Sequence, residues 1–161
     1  MVKISRKVEY ALMALKHMDQ QPADHLTSTK ELCGQHQLSF EVVAKVMQSL
    51  NAAGILRSEQ GAHGGYRIAR ALSQVSLHEI NEAVLGPLQF AYCLHSDSVR
   101  CQLTDSCSVI SPVVNLSHRV EELFRDLSVA ELLGVAEPVE AEIRTRHLRD
   151  RMHASTDLVW K

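Results

Sequence analysis

The order of a short helix, a turn, a longer helix and a glycine-rich hairpin constrains the fold most. Ser28 and Glu31 have capping-box spacing and predict the start of the short helix, which Gly34 is expected to end. Ser39 is expected to cap the longer helix, and Gly54 to end it in a left-handed conformation. This order predicts a helix-turn-helix.

The longer helix has two faces. Four apolar residues recur at helical spacing and are expected to face inward, namely Val43, Val46, Met47 and Leu50. Four other residues are expected to face outward, namely Glu41, Ala44, Lys45 and Gln48.

The hairpin consists of two strand-like runs, 55–58 and 66–69, around the glycine-rich segment 61–65. Behind a helix-turn-helix it is expected to be a wing, whose glycines allow close approach to the sugar-phosphate backbone. The alternative is a surface hairpin that only closes a small core. The residues predicted to reach a groove are Gln60 or His63, and those predicted to reach phosphates are Arg57, Arg67 or Arg70.

Composition fits one ordinary domain with a core, since 45% of the 161 residues are hydrophobic and 22% are charged. No run of about 18 apolar residues occurs, and residues 1–7 lack the features of a secretory signal, so a cytoplasmic, nucleoid-associated protein without membrane contact is expected. Residues 1–70 carry nine Lys and Arg against six Asp and Glu, whereas residues 71–161 carry eight against thirteen. The front half is therefore the one suited to a polyanion.

The second half of the chain predicts three further helices. A capping box at Ser76 begins one short helix, Ser128 and Glu131 cap another that ends at Gly134, and Ser111–Pro112 begins a long one. The long helix carries a heptad seam of Val113, Leu116, Val120, Leu123 and Leu127. Either this seam is a core helix in a monomer or, as we favour for a reader of palindromic duplexes, it pairs two subunits.

Three of the four cysteines cluster in one polar stretch. Seven residues separate Cys93 from Cys101, and five separate Cys101 from Cys107. In a reducing compartment such thiols are metal ligands or redox sensors more often than structural disulfides. A zinc site or a reversible disulfide therefore stays open beside an iron-sulfur site. Cys33 lies in the short helix and is expected to be a small core residue.

These features together resemble a known family. They are the segments 4–11, 61–66 and 76–80 and the three cysteines before a long helix. They are similar to the Rrf2 family of bacterial regulators, of the IscR, NsrR and RirA type, over about residues 2–134. Within it the chain looks most like regulators of the SUF iron-sulfur assembly operon, because of the wing sequence and Gly86–Pro87.

The resemblance implies a winged-helix homodimer in which Cys93, Cys101 and Cys107 hold an iron-sulfur cluster. The cluster can be of the two-iron or the four-iron type. In relatives the fourth ligand is a histidine after the third cysteine or an acidic residue near the amino terminus. Ile110 stands where that histidine would be, so Glu9 is the candidate, with solvated surface glutamate as its alternative and with His95 and His118 as rivals.

The resemblance also places the longer helix in the major groove. The DNA-contacting residues expected from it are Ser39, Glu41, Ala44, Lys45 and Gln48 in the helix and Arg57, Gln60, His63 and Gly64 in the hairpin.

The predicted fold is mainly α with a small β-hairpin wing: a winged helix-turn-helix at 1–86, a cysteine-bearing cluster loop at 87–108, dimerisation helices at 109–134, and a charged tail at 135–161 that is a frayed helix or disordered. The predicted function is a DNA-binding regulator, expected to repress iron-sulfur assembly or iron and stress genes. No nucleophile elbow, phosphate loop or paired-carboxylate site indicates an enzyme. A protein-interaction adaptor is a further alternative.

Overall fold

Six α-helices and one hairpin make up the described part of the chain. The computed structural model describes residues 4–61, 64–88 and 106–135. The elements are α1 (Arg6–Asp19), α2 (Thr29–His36), α3 (Phe40–Ala52), β1 (Leu56–Glu59), β2 (Gly65–Ile68), a 3-10 turn (Leu72–Gln74), α4 (Leu77–Leu85), α5 (Ile110–Asp126) and α6 (Val129–Leu133). Cys93, Cys101, His95, His63 and the predicted tail from 136 onward lie outside the described residues.

Serine caps begin four of these helices, because a serine hydroxyl accepts a hydrogen bond from an otherwise unpaired backbone amide. Full capping boxes form at Ser28 with Glu31 and at Ser76 with Glu79, and Ser128 caps α6, as predicted. Ser5 caps α1 through the amide of Lys7.

One predicted helix end and one predicted capping bond are wrong. Helix α2 continues through Gly34 to His36, and Gln37 takes the left-handed conformation with φ of 53°. Leu38, the next residue, packs against the core. Ser39 occupies the N-cap position of α3, but its side chain makes no capping hydrogen bond.

The core lies between α1, α3 and α4. The four α3 residues predicted to face inward are all buried, and they meet Val8, Ala11 and Leu15 of α1 and Ile80 of α4. This agrees with the apolar spacing of α3, since an amphipathic helix buries the stripe that its apolar residues share.

The hairpin pairs β1 with β2 in antiparallel register, with Leu56 opposite Ile68 and Glu59 opposite Gly65. Thr27 extends this sheet by a bridge to Tyr66, whose amide donates to the Thr27 carbonyl at 2.9 Å. No sequence pattern predicts this bridge. It ties the hairpin to the segment before α2.

The segment after α5 returns to the same core. Leu77 donates its amide to the Leu127 carbonyl at 2.9 Å, and Val129 donates to the Val75 carbonyl at 2.8 Å. Val129 and Ala130 are buried in the core. Helix α6 therefore contributes to the core of the helix-turn-helix unit, although the sequence grouped it with the dimerisation helices.

Glu31 joins three elements through one carboxylate. His17 of α1 and His25 of the following loop each place Nε2 within 3.1 Å of Glu31 Oε1. Burial would raise the pKa of Glu31, but hydrogen bonds with His17, His25 and the Ser28 amide, together with the charge of His25, lower it on balance. The ionised carboxylate is thus the form that the fold favours.

Replacing Glu31 with Gln tests this junction. We expect a loss of about 1–2 kcal/mol of unfolding free energy at neutral pH, because the capping box and the histidine contacts are weakened. A lowered folded-state pKa means that the stabilisation is present above the ordinary value of 4.5 and is lost as pH falls through the folded value. Urea unfolding at a series of pH values measures it.

Glu41→Gln is the matched control, since Glu41 also lies in the first turn of its helix but is exposed. We expect it to change stability little at any pH. An equal loss in both variants, or a Glu31→Gln loss that does not shrink in acid, would contradict the role given to Glu31.

Candidate nucleic-acid interface

The outer face of α3 is the first part of the candidate interface. Glu41, Lys45 and Gln48 are exposed and Ala44 is half-buried, while the opposite face of the helix is buried. Steps of three and four residues place these side chains on one side of the helix. The structure therefore brings them together as the sequence predicted.

Ser39 lies at the start of this face and is exposed. Since its hydroxyl is not used as a cap, it is free to bond to a ligand at the amino end of α3. The absence of the predicted capping bond is therefore compatible with the DNA contact expected for Ser39.

The hairpin is the second part. Gln60 is exposed beyond the end of β1, and Gly64 follows the undescribed pair 62–63. A Cβ on Gly64 would come within 2.6 Å of the Glu59 carbonyl, and a Cβ on Gly65 within 2.9 Å of the Thr27 carbonyl. Both positions therefore require glycine for close backbone approach.

Three arginines were candidates for phosphate contact, and the structure separates them. Arg67 pairs with Glu59 at 2.6 Å, and Arg70 pairs with Glu79 at 2.7 Å and donates to the Gln74 carbonyl. Arg57 is exposed and forms no ion pair with another described side chain. It is the arginine of this group whose guanidinium is available to a new partner.

Asn51 links the two parts of the interface, and the sequence reading missed it. Its Oδ1 accepts a hydrogen bond of 2.8 Å from the Ser58 amide, which joins the last turn of α3 to β1. A polar, half-buried Asn in the last turn of a helix before a strand was the available signal. This bond fixes the hairpin relative to the outer face of α3.

Cys107 is the one described member of the cysteine cluster. It is a half-buried free thiol just before α5. Ile110 is the first residue of that helix, and Glu9 and His118 are exposed. No group of three or more His, Cys, Asp or Glu is placed to hold a metal within 4–61, 64–88 and 106–135.

Cys33 is a half-buried free thiol that packs against the core, and burial raises its pKa. Its position agrees with a structural role, although it is less buried than expected.

Helix α5 leaves part of its predicted seam exposed. None of its 17 residues is buried, and Leu116 and Leu123 are 47% and 46% exposed. Phe124 and Leu127 are partly buried against the core. The described chain therefore covers one side of α5 and leaves an apolar strip on the other. None of the described helices is both long and apolar enough to cross a bilayer.

Comparison with known families decides the classification. The profile of one family, described as Rrf2, iron-dependent transcriptional regulator, matches residues 4–134. The chain belongs to the Rrf2 family. The resemblance drawn from the wing and the cysteines is thereby confirmed, and the family is one of transcriptional regulators.

Among relatives of this Rrf2 protein, the transcriptional regulator NsrR of Halalkalibacterium halodurans is 24% identical over 106 residues, which cover 66% of this chain and 73% of NsrR. Two solved structures share the fold. CymR of B. subtilis, the global cysteine regulator, has a TM-score of 0.63 at 20% identity, with 85% of this chain and 100% of CymR covered. IscR of T. potens has a TM-score of 0.62 at 23% identity, with 86% and 90% covered.

These similarities confirm the predicted fold class, mainly α with a small hairpin wing. Winged-helix regulators of this family bind DNA and generally dimerise.

Proposed function

We propose that this Rrf2 protein is a cytoplasmic DNA-binding transcription regulator, a repressor of iron-sulfur assembly or iron and stress genes, whose DNA binding responds to an iron-sulfur cluster. The observation that carries DNA binding is the division of α3 into a fully buried inner face and a polar outer face, with the hairpin fixed beside it by Asn51. A helix presented in this way fits the major groove.

Within this interface each side chain has a chemical role. Lys45 and Arg57 neutralise phosphates, because both are exposed cations without an ion-pair partner in the described chain. Gln48 is suited to adenine, and Glu41 accepts a hydrogen bond from the amino group of cytosine. Ser39 bonds to a phosphate near the start of α3, and Ala44, Gln60, His63 and Gly64 complete the contact surface.

The open strip of α5 supports a homodimer that reads a palindromic site. Leu116 and Leu123 are spaced seven residues apart and are half exposed. A second copy would cover this strip as in a short coiled-coil seam, while the rest of α5 rests on α4. On this basis α5 carries dimerisation, the segment 1–86 together with α6 forms the DNA-binding unit, and 87–108 bears the cluster cysteines.

The donor set fits an iron-sulfur cluster, since soft thiolates are its natural ligands. Cys107 is accessible and unpaired, and Cys93 and Cys101 would complete the thiolate set from outside the described residues. Glu9 is exposed, and its side chain makes no hydrogen bond or ion pair within the described part, which leaves the carboxylate available as the fourth ligand. The bound cluster would supply sensitivity to iron, oxygen or nitric oxide.

A second candidate is a regulator whose cysteines hold zinc or form a reversible disulfide. The observation that favours it is the fold itself, which is shared with CymR, a cysteine regulator, as closely as with IscR. The thiol ligands are the same in both proposals, so the metal content of the protein distinguishes them.

Replacing Lys45 with Ala tests the DNA interface. We expect weaker binding to duplex DNA of any sequence and a reduction of about one in the slope of log affinity against log salt, because one phosphate contact is lost. Fluorescence anisotropy with a labelled promoter duplex at several salt concentrations measures this slope.

Lys16→Ala in α1 is the control and should keep the slope of the parent protein. A slope that Lys45→Ala leaves unchanged would show that Lys45 does not contact a phosphate.

Replacing Cys107 with Ala tests the cluster site. In protein purified without air, we expect the visible absorbance, iron and acid-labile sulfide to be lost, because one of the thiolate ligands is missing. Cys33→Ala is the matched control and should retain all three. Full iron content in Cys107→Ala would refute the ligand assignment, and colourless parent protein that contains zinc would favour the second candidate.

A further inference from the structure

Phe40 is the most exposed of the large apolar side chains in the described part of the chain. It is the first residue of α3, and 58% of its surface is accessible. An aromatic ring at such a position leaves a large apolar area in water, which is unfavourable unless a partner covers it.

The position of Phe40 on α3 indicates which partner that is. Ala44 and Gln48 follow at steps of four residues, so the three side chains form one row along the outer face of the helix. The buried residues Val43 and Met47 follow Phe40 at steps of three and seven residues, so Phe40 lies where the outer face meets the buried face. Phe40 is 58% exposed and begins the row proposed to enter the major groove, and the next side chain in that row, Ala44, is small.

The chemistry of the major groove gives an apolar side chain one partner there. Among the four bases only thymine presents a methyl group in this groove, and phenylalanine and alanine are suited to contact it. The first residues of a recognition helix are those that reach base edges. The neighbouring Ser39 and Glu41 provide the polar contacts that would orient the start of the helix.

We propose that Phe40, together with Ala44, selects thymine by covering its methyl group. This inference rests on the proposed DNA-binding function and adds a base preference at the amino end of α3. A phenyl ring accepts no hydrogen from cytosine or adenine and donates none to guanine, so its contribution is discrimination by the methyl group alone.

The test uses a duplex recovered by the unaltered protein from a pool of random sequence. Each thymine in that duplex is replaced in turn by deoxyuridine, which removes the methyl group and keeps base pairing. We expect about a fourfold loss of affinity at one position in each half-site, the effect of exposing one buried methyl-sized group. In Phe40→Ala the thymine and uracil duplexes should bind equally at that position.

Gln48→Ala is the matched control, because it lies in the same row: it should weaken binding but keep the preference for thymine over uracil. The inference is overturned if the unaltered protein binds every uracil duplex as well as the thymine duplex, or if Phe40→Ala retains the preference. A change of oligomeric mass in Phe40→Ala, measured by sedimentation, would show that a protein surface covers the ring and would also overturn it. Recovery of no duplex at all would refute the proposed function itself, whereas binding without methyl discrimination would refute only the role of Phe40.

Discussion

The packing of α3 determines most of the remaining structure. Val43, Val46, Met47 and Leu50 are buried against α1 and α4, so the helix has one orientation that removes these apolar side chains from water. Its other face must then point outward. The hydrogen bond from Ser58 to Asn51 transmits this orientation to β1, and the bridge from Thr27 to Tyr66 holds β2. Core packing thus holds α3, and these hydrogen bonds hold the hairpin in place beside it.

Helix α5, unlike α3, has no fully buried residue. Its apolar residues form a strip that the described chain does not bury, although the helix ends in a segment whose backbone bonds to Val75 and Leu77. An apolar seam that rests on the domain on one side and is open on the other suits an interface between subunits. Because Cys107 lies directly before α5, a change at the cysteine cluster would act at the start of the helix that carries this seam.

Much of the fold could be predicted because its signals are local. Capping boxes at Ser28 and Ser76 need only two residues at a fixed spacing, and the faces of α3 need only helical periodicity. The errors arose where a local signal is weak or where distant residues decide the outcome. A single glycine, Gly34, does not end α2, which continues to His36, and the Thr27 bridge depends on a hairpin that comes much later in the chain.

The candidate site shows the same division. Helical periodicity alone groups the outer residues of α3. The sequence does not show that Arg67 pairs with Glu59 and Arg70 with Glu79, so it could not identify Arg57 as the arginine without an ion pair. Phe40 was missed because apolar spacing does not show whether the first residue of a helix is covered. The resemblance in the wing and cysteines supplied the family, which neither charge nor composition indicated.

The most direct test of the account is a hydroxyl-radical footprint on a duplex selected by the protein from random sequence. Two copies that each place the outer face of α3 in the major groove predict two protected patches on one side of the duplex, about one helical turn or a multiple of it apart and related by two-fold symmetry. Protection of a single patch without symmetry, or a footprint unchanged when Lys45 and Gln48 are both replaced by Ala, would contradict it.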